Sequence, residues 1–214
     1  MDFEEWEPYY LQIVKEFGYS RKEDERAAAI LDKALSGQRI EPRHLKQMID
    51  GREVTVAGNA PSLQAELDGR RGLLIAADEA TSVALEAGIY PDILVTDLDG
   101  RVEDQLLVND RGAVAVIHGH GDNVAAVRKW APGFRGSVLA TTQSRPSGGL
   151  HNFGGFTDGD RAVFLAQHFG ASRILLIGFD FEHPSPKDED AATKKKKLAW
   201  AKRLIALVDI VQMH

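Results

Sequence analysis

The chain has 214 residues, 43% hydrophobic and 27% charged, the composition of an ordinary soluble globular protein long enough for one sizeable core. It contains no cysteine, which excludes disulfides, thiolate metal sites and a cysteine nucleophile. A formal net charge of −6 argues against nonspecific nucleic-acid binding, and no apolar run approaches the ~18 residues of a membrane span.

The first ten residues, MDFEEWEPYY, are acidic and aromatic, unlike a signal peptide, so a cytoplasmic location is expected. Trp6, Tyr10, Ile13, Val14 and Phe17 then form a one-sided apolar stripe with helical spacing. Ala27, Ile30, Leu31, Ala34 and Leu35 form a second, ended by Gly37, and a third short helix opens at Pro42 and runs to Met48. Residues 1–50 are therefore expected to be an N-terminal helical region packed against a main domain of residues 51–214.

From Glu53 onward the pattern changes to short apolar runs: VTVAG (54–58), LLIAA (73–77), DILVT (92–96), AVAVI (113–117), SVLAT (137–141) and RILLIG (173–178). Helical stretches lie between them, at about 62–67, 79–87, 102–109, 122–130 and 160–169, and a last helix is expected over about 190–212. Strands apolar throughout belong in a parallel sheet covered on both faces. The expected fold is α/β: a doubly wound, mostly parallel, Rossmann-like sheet of six strands. The glycine-rich stretch QSRPSGGLHNFGGFTDGD (143–160) has no apolar period and reads as a long loop inside that domain.

In open parallel sheets, ligands bind beyond the carboxyl ends of the strands. The six runs lead, in order, into GNAPSL (58–63), Asp78-Glu79, Asp97-Leu98-Asp99-Gly100, HGHGDN (118–123), the glycine-rich loop and Gly178-Phe179-Asp180. Asp78, Asp97, Asp99 and Asp122 thus converge on one rim. In extended chain, residues i and i+2 project the same way, so Asp97 and Asp99 can reach one point. Adjacent carboxylates repel unless a cation lies between them, and Mg²⁺ takes oxygens from carboxylates, waters and phosphates. Asp97, Asp99 and Asp122 are accordingly the expected metal ligands and catalytic residues. The plainer alternative makes Asp99-Gly100 a turn and Asp97 a cap.

Further candidates surround these acids. Gly58, Asn59, Pro61 and Ser62 form a strand-to-helix turn whose free N–H groups or hydroxyl could meet an anion, with Asp78 beside them as a nucleotide-binding position. His118 and His120 could be metal ligands or proton shuttles, His120 being the expected catalytic one. In NFGGFTDGDRA (152–162), Phe153 and Phe156 could stack on a flat ring, while Thr157, Asp158 and Asp160 could bond its edge; Asp160 could equally cap the helix that follows. One or two of the lysines in KKKK (194–197) could lean towards phosphates at the rim, although such a run is ordinarily a solvated face.

The combination GNAPSL, IAADEA, YPDILVTDLDG, HGHGDN, FTDGDRA and IGFDFE, over residues 53–212, resembles the archaeal 6-hydroxymethyl-7,8-dihydropterin pyrophosphokinase (MptE-like) family. Its catalytic core is similar to that of thiamine pyrophosphokinases. The resemblance implies Mg²⁺-dependent transfer of diphosphate from ATP to the hydroxymethyl group of the pterin, with release of AMP, in tetrahydromethanopterin or folate biosynthesis. It matches Asp97 and Asp99 to the metal pair and Asp78 and Asp122 to further acidic positions. Two alternatives stay open at this stage: a nonulosonic-acid-type sugar transferase using the DxD, and a thiamine-type pyrophosphokinase. The expected partners are two small molecules, pterin and ATP, with no nucleic acid or membrane, and the sequence is compatible with a homo-oligomer.

Overall fold

The structure, a computed structural model, describes residues 1–35, 37, 39–184 and 190–213. Three helices come first. In α1 (Phe3–Phe17), Asp2 and Glu5 satisfy each other's backbone N–H in a capping box, and Gly18 closes the helix in the left-handed conformation. Ser20 caps α2 (Arg21–Ala34), and Pro42 occupies the first turn of α3 (Pro42–Ile49).

Strands and helices then alternate: β1 (Glu53–Ala57), α4 (Leu63–Glu66), β2 (Leu73–Ala77), α5 (Ala80–Glu86), β3 (Ile93–Thr96), α6 (Val102–Asp110), β4 (Val114–Gly119), α7 (Val124–Trp130) and β5 (Val138–Thr142). After them come β6 (Leu150–His151), α8 (Asp158–His168), β7 (Arg173–Ile177), α9 (Ala191–Ile205) and β8 (Val211–Met213).

The sheet has eight strands, in the order β6-β5-β4-β3-β2-β1-β7-β8, and every pairing among the described residues is parallel. The α/β architecture on a parallel sheet is as expected, and only the strand count, eight in place of six, is a correction. The two extra strands have two and three residues, too short for an apolar run to announce them. β6 lies inside the glycine-rich stretch. β8 occupies what reads in sequence as the end of the last helix, so that helix stops at Ile205.

The chain steps outward from β1 to β5 in one direction. Right-handed crossovers then keep α4 to α7 on a single face. From β6 it must return past β1 to reach β7, which carries α8 across the opposite face, against β1, β2, β3 and β7. Alternating side chains serve the two faces. Val54, Val56, Ile75, Val95 and Val116 pack with α1, α3, α8 and α9, while Leu94, Ala115, Ile117 and Ala140 pack with α2, α6 and α7. The N-terminal helices share these cores: Trp6, Tyr10 and Leu45 enter the first, and Ala28 and Leu31 of α2 enter the second. The order in which strands are added reverses between β1 and β7, so the segments that follow them leave towards opposite faces of the sheet and a cleft opens beyond the strand ends.

Candidate active site

A cavity of about 640 Å³ opens along the carboxyl ends of the strands, within the usual range for small-molecule sites. Its centre is acidic. Ala77 pairs with Val95, and Thr96 with Ile117, so Asp78 and Asp97 stand one residue past the last paired positions of β2 and β3. One oxygen from each of Asp78, Asp97 and Asp158 lies within 4.8 Å of the other two. Asp158 arrives from α8, across the sheet from the other acids.

The local backbone is bent to achieve this. Among the described residues, Asp78 and Leu98 are the non-glycine residues with left-handed φ, at 46° and 71°, a conformation that costs on the order of 1 kcal/mol or more and clusters at functional sites. Asp78 is held by its N–H to Val95 O (2.8 Å) and by Thr96 and Gln105, whose side chains reach its Oδ1 at 2.9 and 2.8 Å. Leu98 donates its N–H to Thr96 Oγ1 (2.8 Å) and buries its side chain below the sheet. Asp97 and Asp99 therefore meet through a kink at Leu98, not through the extended i, i+2 geometry expected.

These carboxyls cannot all be charged without a counter-ion. Burial pushes Asp97 up, but the hydrogen bond and charge of His120 and the charge of Arg161 outweigh it, and the group is held at about 2. Asp97 is thus ionised, and His120 Nε2, 3.1 Å from its Oδ2, must be the N–H donor. Burial and then the charge of Asp97 push Asp78 up, Asp158 well up, and Asp99 to about 8. Asp97 Oδ1 is buried and receives no amide, hydroxyl or ring donor. A vacant carboxylate oxygen facing further carboxyls is a donor set that suits a hard divalent cation such as Mg²⁺.

Arg161 backs the cluster. It is 8% exposed, donates to Asp158 Oδ1 at 3.1 Å and lies against Gln143. Gln143 in turn donates to Asp24, which also accepts from Tyr10 Oη (2.7 Å) and Gly121 N (2.8 Å). Burial and the Asp24 hydrogen bond push the Tyr10 phenol well up. A buried polar chain thus runs from α1 and α2 to the acids. Arg161 and Asp24 are absent from the sequence-based candidates. One signal was available for Asp24: it lies three, four and seven residues before Ala27, Ala28 and Leu31, an aspartate on the apolar face of α2.

Most of the sequence-based candidates line this one cavity: Gly58, Asn59, Pro61, Asp78, Asp97, Asp99, His120, Asp122, Phe156, Thr157 and Asp158. Their placement differs from expectation in five respects. Asp122 lies apart from the acid triad, where Asp158 stands in its stead. Asp160 and Ser62 do not line the cavity. Both oxygens of Asp160 accept hydrogen bonds, from Phe156 N (2.8 Å), Thr157 N (2.6 Å) and the Thr157 hydroxyl, so it caps α8, and its complete burial keeps it from a ligand. Ser62 is exposed at the N-cap of α4, and the N–H groups of Gly58 and Ala60 are donated to Ile177 O and Gly178 O, so this turn offers no phosphate cradle from them. His118 is buried; Thr141 uses its hydroxyl proton on Ile117 O, so His118 Nδ1 donates to Thr141 Oγ1 at 3.0 Å and Nε2 is bare. Burial first, then Arg161 and His120, hold it well below the usual imidazole range, and it stays out of the cavity. Phe153 is core, packed on His168 and Phe169. Of the four lysines, Lys194 and Lys197, three apart on one face of α9, reach the cavity, while Lys195 and Lys196 are exposed.

The model of the family described as 6-hydroxymethylpterin diphosphokinase MptE-like matches residues 29–185. The chain belongs to this family. Three relatives, each named 6-hydroxymethyl-7,8-dihydropterin pyrophosphokinase, match over nearly their whole length. The protein of Methanothermobacter thermautotrophicus is 42% identical over 96% of this chain and 94% of its own. That of Pyrococcus furiosus is 45% identical over 96% and 93%, and that of Methanocaldococcus jannaschii 38% identical over 96% and 95%. Among solved structures, the MAf glycosyltransferase from Magnetospirillum magneticum AMB-1 overlaps 86% of this chain and 35% of its own at 16% identity, with a TM-score of 0.49. Family membership favours the diphosphokinase over the sugar-transferase alternative.

Proposed function

We propose that this diphosphokinase-family chain transfers diphosphate from ATP to the hydroxymethyl group of 6-hydroxymethyl-7,8-dihydropterin, a step towards tetrahydromethanopterin or folate. The hydroxyl oxygen bonds to the β-phosphorus of ATP, and the bond from that phosphorus to the α,β-bridging oxygen breaks. The bridging oxygen leaves with AMP, and the hydroxyl proton is released. The observation that carries this reading is the convergence of Asp78, Asp97 and Asp158 on one point of a cavity large enough for both substrates.

Asp78, Asp97 and Asp158 would hold Mg²⁺, with Asp99 as a fourth carboxyl at the same wall. Held there, the ion would supply positive charge against the phosphate oxygens and the developing charge of the leaving group. Thr96 and Gln105 fix the Asp78 rotamer, His120 fixes Asp97, and Arg161 fixes Asp158. Lys194 and Lys197 supply positive charge on the roof of the cavity, where the polyphosphate lies. No covalent nucleophile is needed, because phosphoryl-type transfer asks mainly for positioning and charge stabilisation.

The test is AMP formation from ATP with Mg²⁺ and the hydroxymethyl pterin. The wild-type chain forms it. Asp97→Asn loses about a thousandfold or more, the several kcal/mol that metal-borne stabilisation supplies. A near-normal rate in Asp97→Asn, with an unchanged melting curve, rejects the acid cluster as the metal centre.

A further inference from the structure

Two of the three converging acids are held by a single side chain each. Arg161 Nη1 donates to Asp158 Oδ1 at 3.1 Å, and His120 Nε2 donates to Asp97 Oδ2 at 3.1 Å. Neither holder supports itself. The Arg161 guanidinium is buried and its Nε has no partner, so among the described residues its second anchor is Gln143, with Oε1 3.4 Å from Nη2. At that length the sign of the amide dipole decides whether the contact attracts or repels. His120 stands on the loop between β4 and α7, where the next residue, Gly121, lies against the first turn of α2. A Cβ on Gly121 would come 2.9 Å from Glu23 Cβ, so only glycine permits this approach.

Both supports lead to one buried carboxylate. Asp24 Oδ2 accepts from Gln143 Nε2 (2.9 Å) and Tyr10 Oη (2.7 Å), and Asp24 Oδ1 accepts from Gly121 N (2.8 Å). A guanidinium only donates, so Gln143 must turn its oxygen to Arg161 and its NH₂ away. That orientation is satisfied because Asp24, behind the NH₂, only accepts. The Gln143 backbone is pinned separately, its carbonyl accepting from Trp6 Nε1 at 2.9 Å. A change at residue 24 is therefore met by a flip of the Gln143 amide, not by withdrawal of the residue.

We propose that Asp24 is a positioning residue for the metal centre. Through the polarity of the Gln143 amide it steadies Arg161 and Asp158, and through Gly121 it anchors the loop whose His120 holds Asp97. The inference rests on the acid cluster being the Mg²⁺ centre of the diphosphokinase. An acid on the apolar face of α2, remote in sequence from every ligand, thereby governs how well the ion is held.

An asparagine at position 24 has one acceptor oxygen where the carboxylate has two. The Gly121 N–H is backbone and cannot reverse, so the asparagine oxygen stays with it and the NH₂ faces Gln143. Gln143 flips to accept, and its own NH₂ then meets the Arg161 guanidinium, donor against donor. Mn²⁺, which takes the same oxygen ligands as Mg²⁺, is titrated into the substrate-free full chain, and the free ion is counted by paramagnetic resonance. Asp24→Asn is expected to weaken Mn²⁺ binding about ten- to a hundredfold, the range for residues that orient a ligand without touching the metal. The double variant Asp24→Asn/Gln143→Glu moves the carboxylate one step along the chain. One oxygen of the new glutamate accepts from the asparagine and the other from Arg161, and binding returns to within about threefold of wild type. Tyr10→Phe removes a donor that serves neither branch; it lowers the melting temperature and leaves Mn²⁺ binding within about twofold.

A merely structural role makes Mn²⁺ affinity follow the melting temperature across the three variants and gives no recovery in the double variant; either result overturns the assignment. If Asp24→Asn does not fold, the double variant decides: native Mn²⁺ affinity supports the assignment, and loss of affinity or of folding overturns it. Equal binding by wild type and Asp24→Asn overturns it with the metal centre intact. A wild-type chain that binds no Mn²⁺ overturns the metal centre and this assignment together.

Discussion

Arg161 is the residue on which the acid cluster leans most. Its guanidinium is buried beside Asp158, and its charge also holds Asp97 ionised. Removing one partner of a buried pair leaves the other charge uncompensated, at a cost of about 3–5 kcal/mol. Arg161→Met is therefore expected to unfold in urea with about 3 kcal/mol less stability. The value lies at the lower end of that range because Asp158 can take up a proton. A loss below 1 kcal/mol would show that the carboxyls tolerate one another without it. The same scale explains Leu98: its left-handed φ turns the chain so that Asp97 and Asp99 face one cavity, while its side chain stays in the core.

At the scale of elements, two glycines and two helices set the cleft. Gly58 and Gly178 end β1 and β7 so close together that a Cβ on either would lie 2.6 or 2.5 Å from the other's carbonyl oxygen. The strand ends at the reversal point can approach this tightly only without side chains. The crossover of α8 brings Asp158 over β2 and β3, and Asp160 secures its first turn. Helix α9 roofs the cleft with two of its four consecutive lysines. Lys197→Ala is expected to raise the KM for ATP about tenfold, the loss of one charge-assisted phosphate contact. Lys195→Ala and Lys196→Ala leave it unchanged within about twofold. Equal effects from all four lysines would mean that the run acts as a diffuse charge and not through the face turned to the cavity.

For the whole molecule, the acids are expected to make stability depend on pH and, through the proposed Mg²⁺ site, on metal. A carboxyl raised to about 8 in the folded state, as Asp99 is, contributes stability that is complete below its ordinary value of about 3.9 and is lost as pH rises through 8. Asp78 and Asp158 are raised too and act in the same direction. Asp97, held at about 2, does the reverse: its contribution is present above about 3.9 and disappears as pH falls through 2. Between pH 5 and 9 the raised carboxyls decide the trend. In EDTA the melting temperature should fall across that window. A divalent ion held by these acids, as proposed, would compete with the protons, so the rise produced by Mg²⁺ should be larger at pH 9 than at pH 5. Thermal melts at pH 5, 7 and 9 in EDTA and in Mg²⁺ measure both, and a flat EDTA series contradicts the cluster's electrostatics. Among the described residues no helix is long and apolar enough to cross a membrane.

The six longer strands, the helices between them and the acidic strand ends were readable because each depends on local pattern: apolar runs for a sheet covered on both faces, polar residues where a strand leaves it. Gly58, Asp78, Asp97, Asp99 and His120 could be assigned to one rim for that reason. β6 and β8 could not be read, since two or three residues become strands only by docking on an existing edge. Nor could the exchange of Asp122 for Asp158 in the acid triad. That depends on the direction in which the chain returns from β6 to β7, which puts α8 over the far face of β2 and β3. Sequence alone determined which residues end their strands in charge. Tertiary structure decided which of those charges meet, because they meet across elements distant in the chain, where only sheet order and crossover handedness fix the distance.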